Sequence, residues 1–457
     1  MLGTLTDLTP RVTPMFVIFS HAHPSISKGG AEVSAYALYL GLRRQGQAAA
    51  FVAMVAEGDV ARATLETDGE HLLVFDPSQY DHQFHHAPPA VFEAAHVLLR
   101  TLQPTQLVFH HFLFLGINTV GRMIAEHGCP SAVVLHEFLA ICQHHGQMVT
   151  RPQQQLCMRA SPSACAACFP ELSPDAFNVR RAIFLGVLRQ ADRLISPSRF
   201  LANRFIEWGV DPARLNVIEN GLAGHQRTVL WDPARATNPL AAVRSPSSPV
   251  GRPERRQTVF GYFGQINPFK GLDRILDAVE QICEEAATPQ LRVRVHGNLV
   301  PGLAPEFLER FQQAAGPGGL VEYAGPYQNT DVLRLMGRCD YVLMGSKWWE
   351  NSPVVIQEAY AARRPVIVPN LGGMAEKVTH GVSGWHFAHD DPRDLARVLL
   401  ACAAEHGAGG RTFTFPDPPT AEDMAVNYLA ALRVSADPAN REPAESAGEP
   451  QANRDLS

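Results

Sequence analysis

The sequence predicts an α/β protein of two similar domains, each a parallel sheet covered by helices, facing each other across a cleft. Three observations lead there. Strand-like apolar runs alternate with helix-spaced stretches, and this alternation occurs twice along the chain. A Pro-, Ser- and Arg-containing segment, 225–257, separates the two rounds. The 457 residues are 46% apolar, enough for two or three cores at roughly 150 residues per domain.

The first round opens with an apolar strand at 15–19, a polar loop carrying Gly29 and Gly30, and a helix at 31–44. Strands follow at 48–55, 72–75, 107–110 and 132–135, with a helix at 90–102 among the stretches between them. Short strands at 194–196 and 216–218 lead to the turn Glu219-Asn220-Gly221. The second round has strands at 259–263, 291–296, 320–323, 341–344 and 366–368, with a helix at 272–286 after the first. A last helix is predicted at 421–433. The segment 435–457, rich in Pro, Ala, Glu and Asn, is expected to be disordered. The implied organisation is 1–224 as the N-terminal domain, 225–257 as a linker or excursion, 258–418 as the C-terminal domain, 419–433 as a terminal helix and 434–457 as a tail. In such a fold, ligands bind in the cleft beyond the carboxyl ends of the strands.

Composition excludes several classes. Thirty-nine Lys and Arg against 45 Asp and Glu give a formal charge of −6 and no basic run, so nucleic acid is not the expected partner. No apolar stretch reaches the roughly 18 to 20 residues of a membrane span. The run at 15–19 passes directly into Ser20-His21-Ala22-His23 rather than a cleavage site, so a cytoplasmic location is expected.

Two carboxylates, Glu350 and Glu358, are separated by seven residues. A strand and a polar loop with Trp348 and Trp349 precede them. Ser352 stands as a candidate N-cap, with Pro353 at the first helical position. Glu350 then falls in the loop and Glu358 well inside the helix, whose start offers N–H groups suited to a phosphate.

Together with their surroundings these residues resemble the retaining GT-B glycosyltransferases of family four, the group 1 glycosyl transferases. The spacing Glu350 to Glu358 is similar to the family's Glu-x7-Glu signature and is followed by Arg364-Pro365-Val366-Ile367 and Gly372-Gly373-Met374-Ala375-Glu376. The stretch Phe263-Gly264-Gln265-Ile266-Asn267-Pro268-Phe269-Lys270-Gly271 is similar to the strand-end loop that holds the donor diphosphate. Gly29-Gly30-Ala31-Glu32 looks like the family's glycine loop and Leu135-His136-Glu137 like its active-site histidine, with Ser196-Pro197-Ser198 and Asn220-Gly221 also in place. The resemblance covers about residues 15–433, apart from the linker.

It implies two Rossmann-like domains, acceptor-side first and donor-side second, with the terminal helix crossing back to the first. It further implies an enzyme that moves a sugar from a nucleoside-diphosphate sugar to a hydroxyl acceptor with retention, in polysaccharide or glycoconjugate assembly. His136, Lys270 and Glu350 are the implied catalytic residues. Gly29, Gly30, Gln265, Lys270, Ser352, Glu358, Gly373 and Met374 are the implied donor-binding residues. Lys270 sets a positive charge beside the leaving diphosphate, the glycines admit the backbone to phosphate, Glu358 accepts ribose hydroxyls, and Gly373 and Met374 offer N–H groups to the sugar. No Asp-x-Asp triplet occurs, in keeping with a reaction that needs no divalent cation. A carbohydrate or lipid-linked acceptor is implied, which places contact with the inner face of a membrane within the expectation. One departure stands out: Gln265 occupies a position where the family usually has Arg, removing a cation from the diphosphate site. Compensation by another basic residue is the expectation.

Four cysteines, Cys142, Cys157, Cys165 and Cys168, fall within 27 residues and include one Cys-x2-Cys pair. They are expected to form a structural zinc site, with His144 and His145 as substitute ligands. Two other readings stay open. One is a nucleotide-sugar epimerase, which would convert the donor without an acceptor. The other is a non-catalytic nucleotide-sugar-binding or metal-stabilised scaffold, which would bind donor without turnover.

Overall fold

The computed structural model describes residues 15–27, 29–151, 153–222, 257–285, 289–408 and 410–436. The expected linker and tail lie almost wholly outside the described residues.

The first round of elements runs β1 (Met15–Ser20), α1 (Gly30–Arg44), β2 (Ala48–Ala56), β3 (Glu70–Phe75), α2 (Pro89–Leu102), β4 (Gln106–His110), α3 (Ile117–His127) and β5 (Ser131–Val134). It continues with α4 (Pro162–Cys168), α5 (Pro174–Leu188), β6 (Arg193–Ser196), α6 (Arg199–Trp208) and β7 (Leu215–Val217). The second round runs β8 (Thr258–Phe263), α7 (Leu272–Glu285), β9 (Leu291–His296), α8 (Pro305–Ala314), β10 (Val321–Gly325), α9 (Val332–Met336) and β11 (Tyr341–Leu343). It ends with α10 (Val354–Ala361), β12 (Val366–Pro369), α11 (Gly372–Lys377), β13 (Gly384–Phe387), α12 (Pro392–Gly407) and α13 (Ala421–Ala436).

The strands form two sheets. One has seven strands in the order β3-β2-β1-β4-β5-β6-β7, the other six in the order β10-β9-β8-β11-β12-β13, and every pairing is parallel. Parallel strands need helical crossovers, which cover both faces, so the central strands read as unbroken apolar runs, whereas β9, next to the edge, alternates with half-buried Arg292 and Arg294. In β1, Val17 and Phe19 join the core on one face while Phe16 and Ile18 join the other. β13 is an edge strand that no apolar run announced, because Trp385 and His386 at its centre are only half-buried.

In each sheet the strand order reverses once, between β1 and β4 and between β8 and β11. Loops leaving neighbouring strands there diverge to opposite faces and open a crevice. The loops after β1, β4 and β5 carry His21, Gly29, His111, His136 and Glu137. Those after β8 and β11 carry Gln265, Lys270 and Glu350.

The terminal helix α13 packs on the N-terminal sheet rather than on the domain that precedes it. Ala421, Met424, Ala425, Tyr428 and Leu432 share a core with Phe16, Ile18 and Leu38. Gly41 of α1 makes this possible: a Cβ there would stand 2.2 Å from the Ala421 carbonyl oxygen. Val at 41 is therefore expected to force the helices apart at a cost of about 1–3 kcal/mol. Gly41→Val should lower the thermal midpoint and speed protease cleavage near 410–420; an unchanged midpoint would show that α13 is not docked through this contact.

Candidate active site

The C-terminal half of the site is built by two abutting loops. Gly271 has φ +68, and a Cβ on it would lie 1.8 Å from the Gly345 carbonyl oxygen, so the loop after β8 can meet the loop after β11 only with glycine here. The Lys347 N–H donates to the Phe269 carbonyl at 2.9 Å and ties the same loops. Lys270 Nζ thereby reaches Glu350 Oε1 at 2.6 Å. The same oxygen accepts from Ser346 Oγ at 2.9 Å and Trp348 Nε1 at 3.1 Å. Burial alone would raise the Glu350 pKa. The Lys270 charge and the hydrogen bonds from Lys270, Trp348 and Ser346 outweigh it and hold the carboxyl below 4.5. Trp348 stacks on Phe269 with centroids 5.0 Å apart, fixing the indole that donates to Glu350. Sequence reasoning missed Ser346 and Trp348; an Nε1–H two residues from a buried carboxylate was the available signal.

Glu358 lies in α10 and is buried. The helix begins at Val354 with Pro353 at the cap, and Ser352 Oγ is buried without a partner, so Ser352 does not cap the helix as its sequence position suggested. Proline has no side-chain acceptor to offer the first-turn N–H groups, and Ser352 is left one residue too early. Gly373, at the start of α11, donates its N–H to the Glu350 carbonyl at 2.8 Å and so has no free N–H for a sugar; Met374 beside it is fully buried. Gln265 is exposed, and its backbone carbonyl accepts from Tyr262 Oη at 2.9 Å. The nearby cations are already matched: Lys347 pairs with Asp273 and Lys377 with Glu219.

The N-terminal half is a histidine wall. His136, at the end of β5, places Nε2 3.0 Å from His110 Nδ1 at the end of β4. His111 has φ +83, a strained conformation of the kind that gathers at binding sites. Its Nε2 lies 3.0 Å from Glu137 Oε1, and its Nδ1 accepts from the Leu113 N–H at 3.0 Å. Burial lowers His110 to about 3 and takes His111 and His136 well below the ordinary range, while it pushes Glu137 up to about 8. His111 and Glu137 were not singled out as site residues; the adjacency of His110-His111 at a strand end was the signal. Gly29 precedes α1, but the space above it holds the Glu32 carboxylate, which would lie 2.5 Å from a Cβ at 29. Gly30 faces open space. Burial opposes ionisation of Glu32, yet hydrogen bonds from His21 and Ser27 and the charge on His21 bring its pKa down to about 2.

The halves are joined beside the site. Asn351 Nδ2 donates to the His136 carbonyl at 3.1 Å, and Gln357 Nε2 donates to Glu219 and Asn220. Glu376 accepts from the N–H groups of Arg199 and Phe200 at the start of α6, at 2.9 and 2.5 Å.

The cysteine expectation is corrected. Among the described residues, no group of three or more His, Cys, Asp or Glu stands in a geometry that could hold a metal. Cys142 and Cys157 pack against the N-terminal core, where burial favours the thiol over the thiolate and raises Cys142 to about 11. The sulfurs are near enough to feel one another's charge, but they are not drawn into one ligand set. His144 Nδ1 is engaged with the Val149 carbonyl at 2.9 Å. No described helix is long and apolar enough to cross a membrane.

The family model "Glycosyltransferase Family 4" matches residues 28–223, and "Glycosyl transferases group 1" matches 246–403. The D-inositol 3-phosphate glycosyltransferases of Mycobacterium tuberculosis and Mycobacterium bovis are 29% identical over 264 residues, which is 54% of this chain and half the length of those relatives. Among solved structures, sucrose-phosphate synthase from Thermosynechococcus elongatus superposes with TM-score 0.63 at 15% identity, covering 92% of this chain and 94% of that one. Anabaena HepE in complex with UDP superposes with TM-score 0.58 at 19% identity, covering 92% and 95%. The N-terminal half thus carries a glycosyltransferase family 4 domain, the C-terminal half a glycosyl transferases group 1 domain, and the fold is GT-B.

The Lys270–Glu350 pair sets a testable pH dependence. A carboxyl held below its unfolded value contributes stability that is fully present above about pH 4.5 and is lost as the pH falls through its folded pKa. Lys270→Met removes the cation and leaves desolvation of the carboxylate uncompensated, so the folded pKa of Glu350 should rise towards or above its unfolded value and the acid loss should shrink or reverse. Thermal midpoints measured from pH 3 to 7 should lie below wild type near pH 7 and fall less steeply on acidification in Lys270→Met; superimposable profiles would rule out a structural role for the pair.

Proposed function

We propose that the chain is a glycosyltransferase that moves a sugar from a nucleoside-diphosphate sugar to a hydroxyl acceptor with retention at the anomeric carbon, in polysaccharide or glycoconjugate assembly. The observation that carries this reading is the pairing of Lys270 with Glu350 at one sheet's crevice and its link, through the neighbouring Asn351, to His136 at the other. In this reading 258–418 holds the donor and 1–224 the acceptor.

Lys270 Nζ offsets the charge that grows on the diphosphate as the glycosidic C–O bond breaks. Gln265 contributes a hydrogen bond in place of the usual cation, and Glu358 accepts from the ribose hydroxyls. Glu350 orients Lys270 and takes a sugar hydroxyl with its remaining acceptor capacity. Three donors already converge on one Glu350 oxygen, which makes it a poor nucleophile. Retention therefore proceeds on one face of the sugar: the bond to the leaving phosphate breaks, the bond to the acceptor oxygen forms, and the acceptor proton passes to the phosphate oxygen. Closure of the two halves keeps water from competing for the donor.

UDP-glucose is the first donor to try, because HepE has been crystallised with it. Calorimetric titration of the full chain should show binding that weakens at least about tenfold in Lys270→Ala and Glu358→Ala. Donor converted without acceptor would favour an epimerase, and donor bound without turnover a scaffold. No binding of any nucleoside-diphosphate sugar would sink the proposal.

A further inference from the structure

Two histidines from adjacent strands share one hydrogen bond at the cleft. His110 ends β4 and is completely buried; His136 follows β5 and is half-buried. Their contact joins His110 Nδ1 to His136 Nε2 at 3.0 Å, so one nitrogen must donate and the other accept. The other nitrogen of His110, Nε2, is buried without a partner, and the ring lies nearly parallel to Tyr428 of α13, 10° apart with centroids at 5.9 Å.

That orphan decides the direction of the shared bond. If His136 donated, the neutral His110 would carry its proton on Nε2, leaving a bare N–H in an apolar wall. If His110 donates from Nδ1, the unsatisfied group is only a lone pair. Orphaned buried N–H groups are the rarer of the two in folded proteins. Protonating both rings would set two cations in contact in a buried site, with His21 and His111 close by.

We propose that His110 is a positioning residue that fixes His136 as a neutral imidazole with its proton on Nδ1, so that His136 meets the substrate as a hydrogen-bond donor. The ring's contact with His110 uses Nε2 and leaves Nδ1 to face elsewhere, and the Asn351 contact places His136 against the loop after β11. Glu137, His111, His21, Glu32 and Tyr428 are the other titratable groups at this wall. The structural part of the inference stands on the histidine pair alone. Its functional part rests on the glycosyltransferase reading: a neutral N–H donor can hold a sugar hydroxyl but cannot take the acceptor's proton, which must leave by the phosphate.

The test uses the full chain labelled with 15N-histidine. Long-range 1H–15N correlation spectra at pH 7.5, with the His136 signals identified by their absence in His136→Asn, report which nitrogen carries the proton. The expected result is a protonated Nδ1 and a bare Nε2 on His136. His110→Asn, whose amide can still donate, should keep that pattern and stay within about threefold of wild-type kcat/KM. His110→Asp, which can only accept, should move the proton to Nε2 and lower kcat/KM about 10- to 100-fold, the cost typical of losing a histidine's orienting partner. A wild-type His136 protonated on Nε2 overturns the proposal even if no variant folds. So does wild-type turnover in His110→Asp with the proton moved. A wild type that binds no UDP-glucose or other nucleoside-diphosphate sugar overturns the enzyme reading while leaving the tautomer result standing.

Discussion

The contact between Lys270 and Glu350 is the constraint on which the donor-side site depends. Neither side chain could sit here alone: a carboxylate this far from water needs a counter-charge or a set of donors, and a lysine without an anion would turn to solvent. Their meeting requires the loops after β8 and β11 to touch, which only the glycines at 271 and 345 allow. It also requires those strands to be neighbours at the point where the sheet order reverses. Topology, backbone conformation and electrostatics therefore specify the same few ångströms. The pair also keeps a cation in place at the crevice before any anion arrives, so that less reorganisation is left to binding.

The two walls of the cleft are chemically unlike. The C-terminal wall is built of formal charges matched in pairs: Lys270 with Glu350, Lys347 with Asp273, and Arg274 with Asp390. The N-terminal wall is built chiefly of the imidazoles of His110, His111 and His136, whose charging burial opposes, with Glu137 pushed up to about 8 and the charged pair of His21 with Glu32 beside them. A ligand bearing several negative charges is suited to the first wall, where a cation can be shared between anions. An uncharged hydroxyl is suited to the second. This asymmetry supports placing donor and acceptor on opposite sides.

Much of the fold was legible because parallel strands covered on both faces must be apolar throughout. Val17 through Phe19 or Val366 through Val368 could belong to little else once helices followed them. The edge strand β13 was hidden, since an edge partner can be half-exposed and Trp385-His386 breaks the pattern. In the site, Glu350, Glu358, Lys270 and His136 were legible as residue types at fixed spacings, and the fold brings their loops to the crevices. What spacing could not disclose was how polar atoms are consumed. Ser352 occupies a cap-like position but caps nothing, the Gly373 N–H is spent on the Glu350 carbonyl, and the space over Gly29 is filled by Glu32. The four cysteines show the same limit, because closeness in sequence does not ensure that sulfurs converge.

The contacts between the halves bear on how the site works as a unit. Asn351 follows Glu350 directly and bonds the carbonyl of His136; Gln357 precedes Glu358 and bonds Glu219 and Asn220; Glu376 lies two residues beyond Met374 and accepts from the start of α6. Each bridge is one or two residues from a group assigned to the donor. A shift of one half against the other must therefore pull on the donor loops themselves, and a ligand that orders those loops must in turn favour the joined arrangement. These bridges are hydrogen bonds, joined by the ion pair of Lys377 with Glu219 and by Trp349 packing on Phe200 with ring centroids 5.2 Å apart, so no single polar bridge holds the halves together. In the proposed reading, opening for exchange and closing for reaction would break and remake these same contacts, tying access to the cleft to the order of the loops that line it.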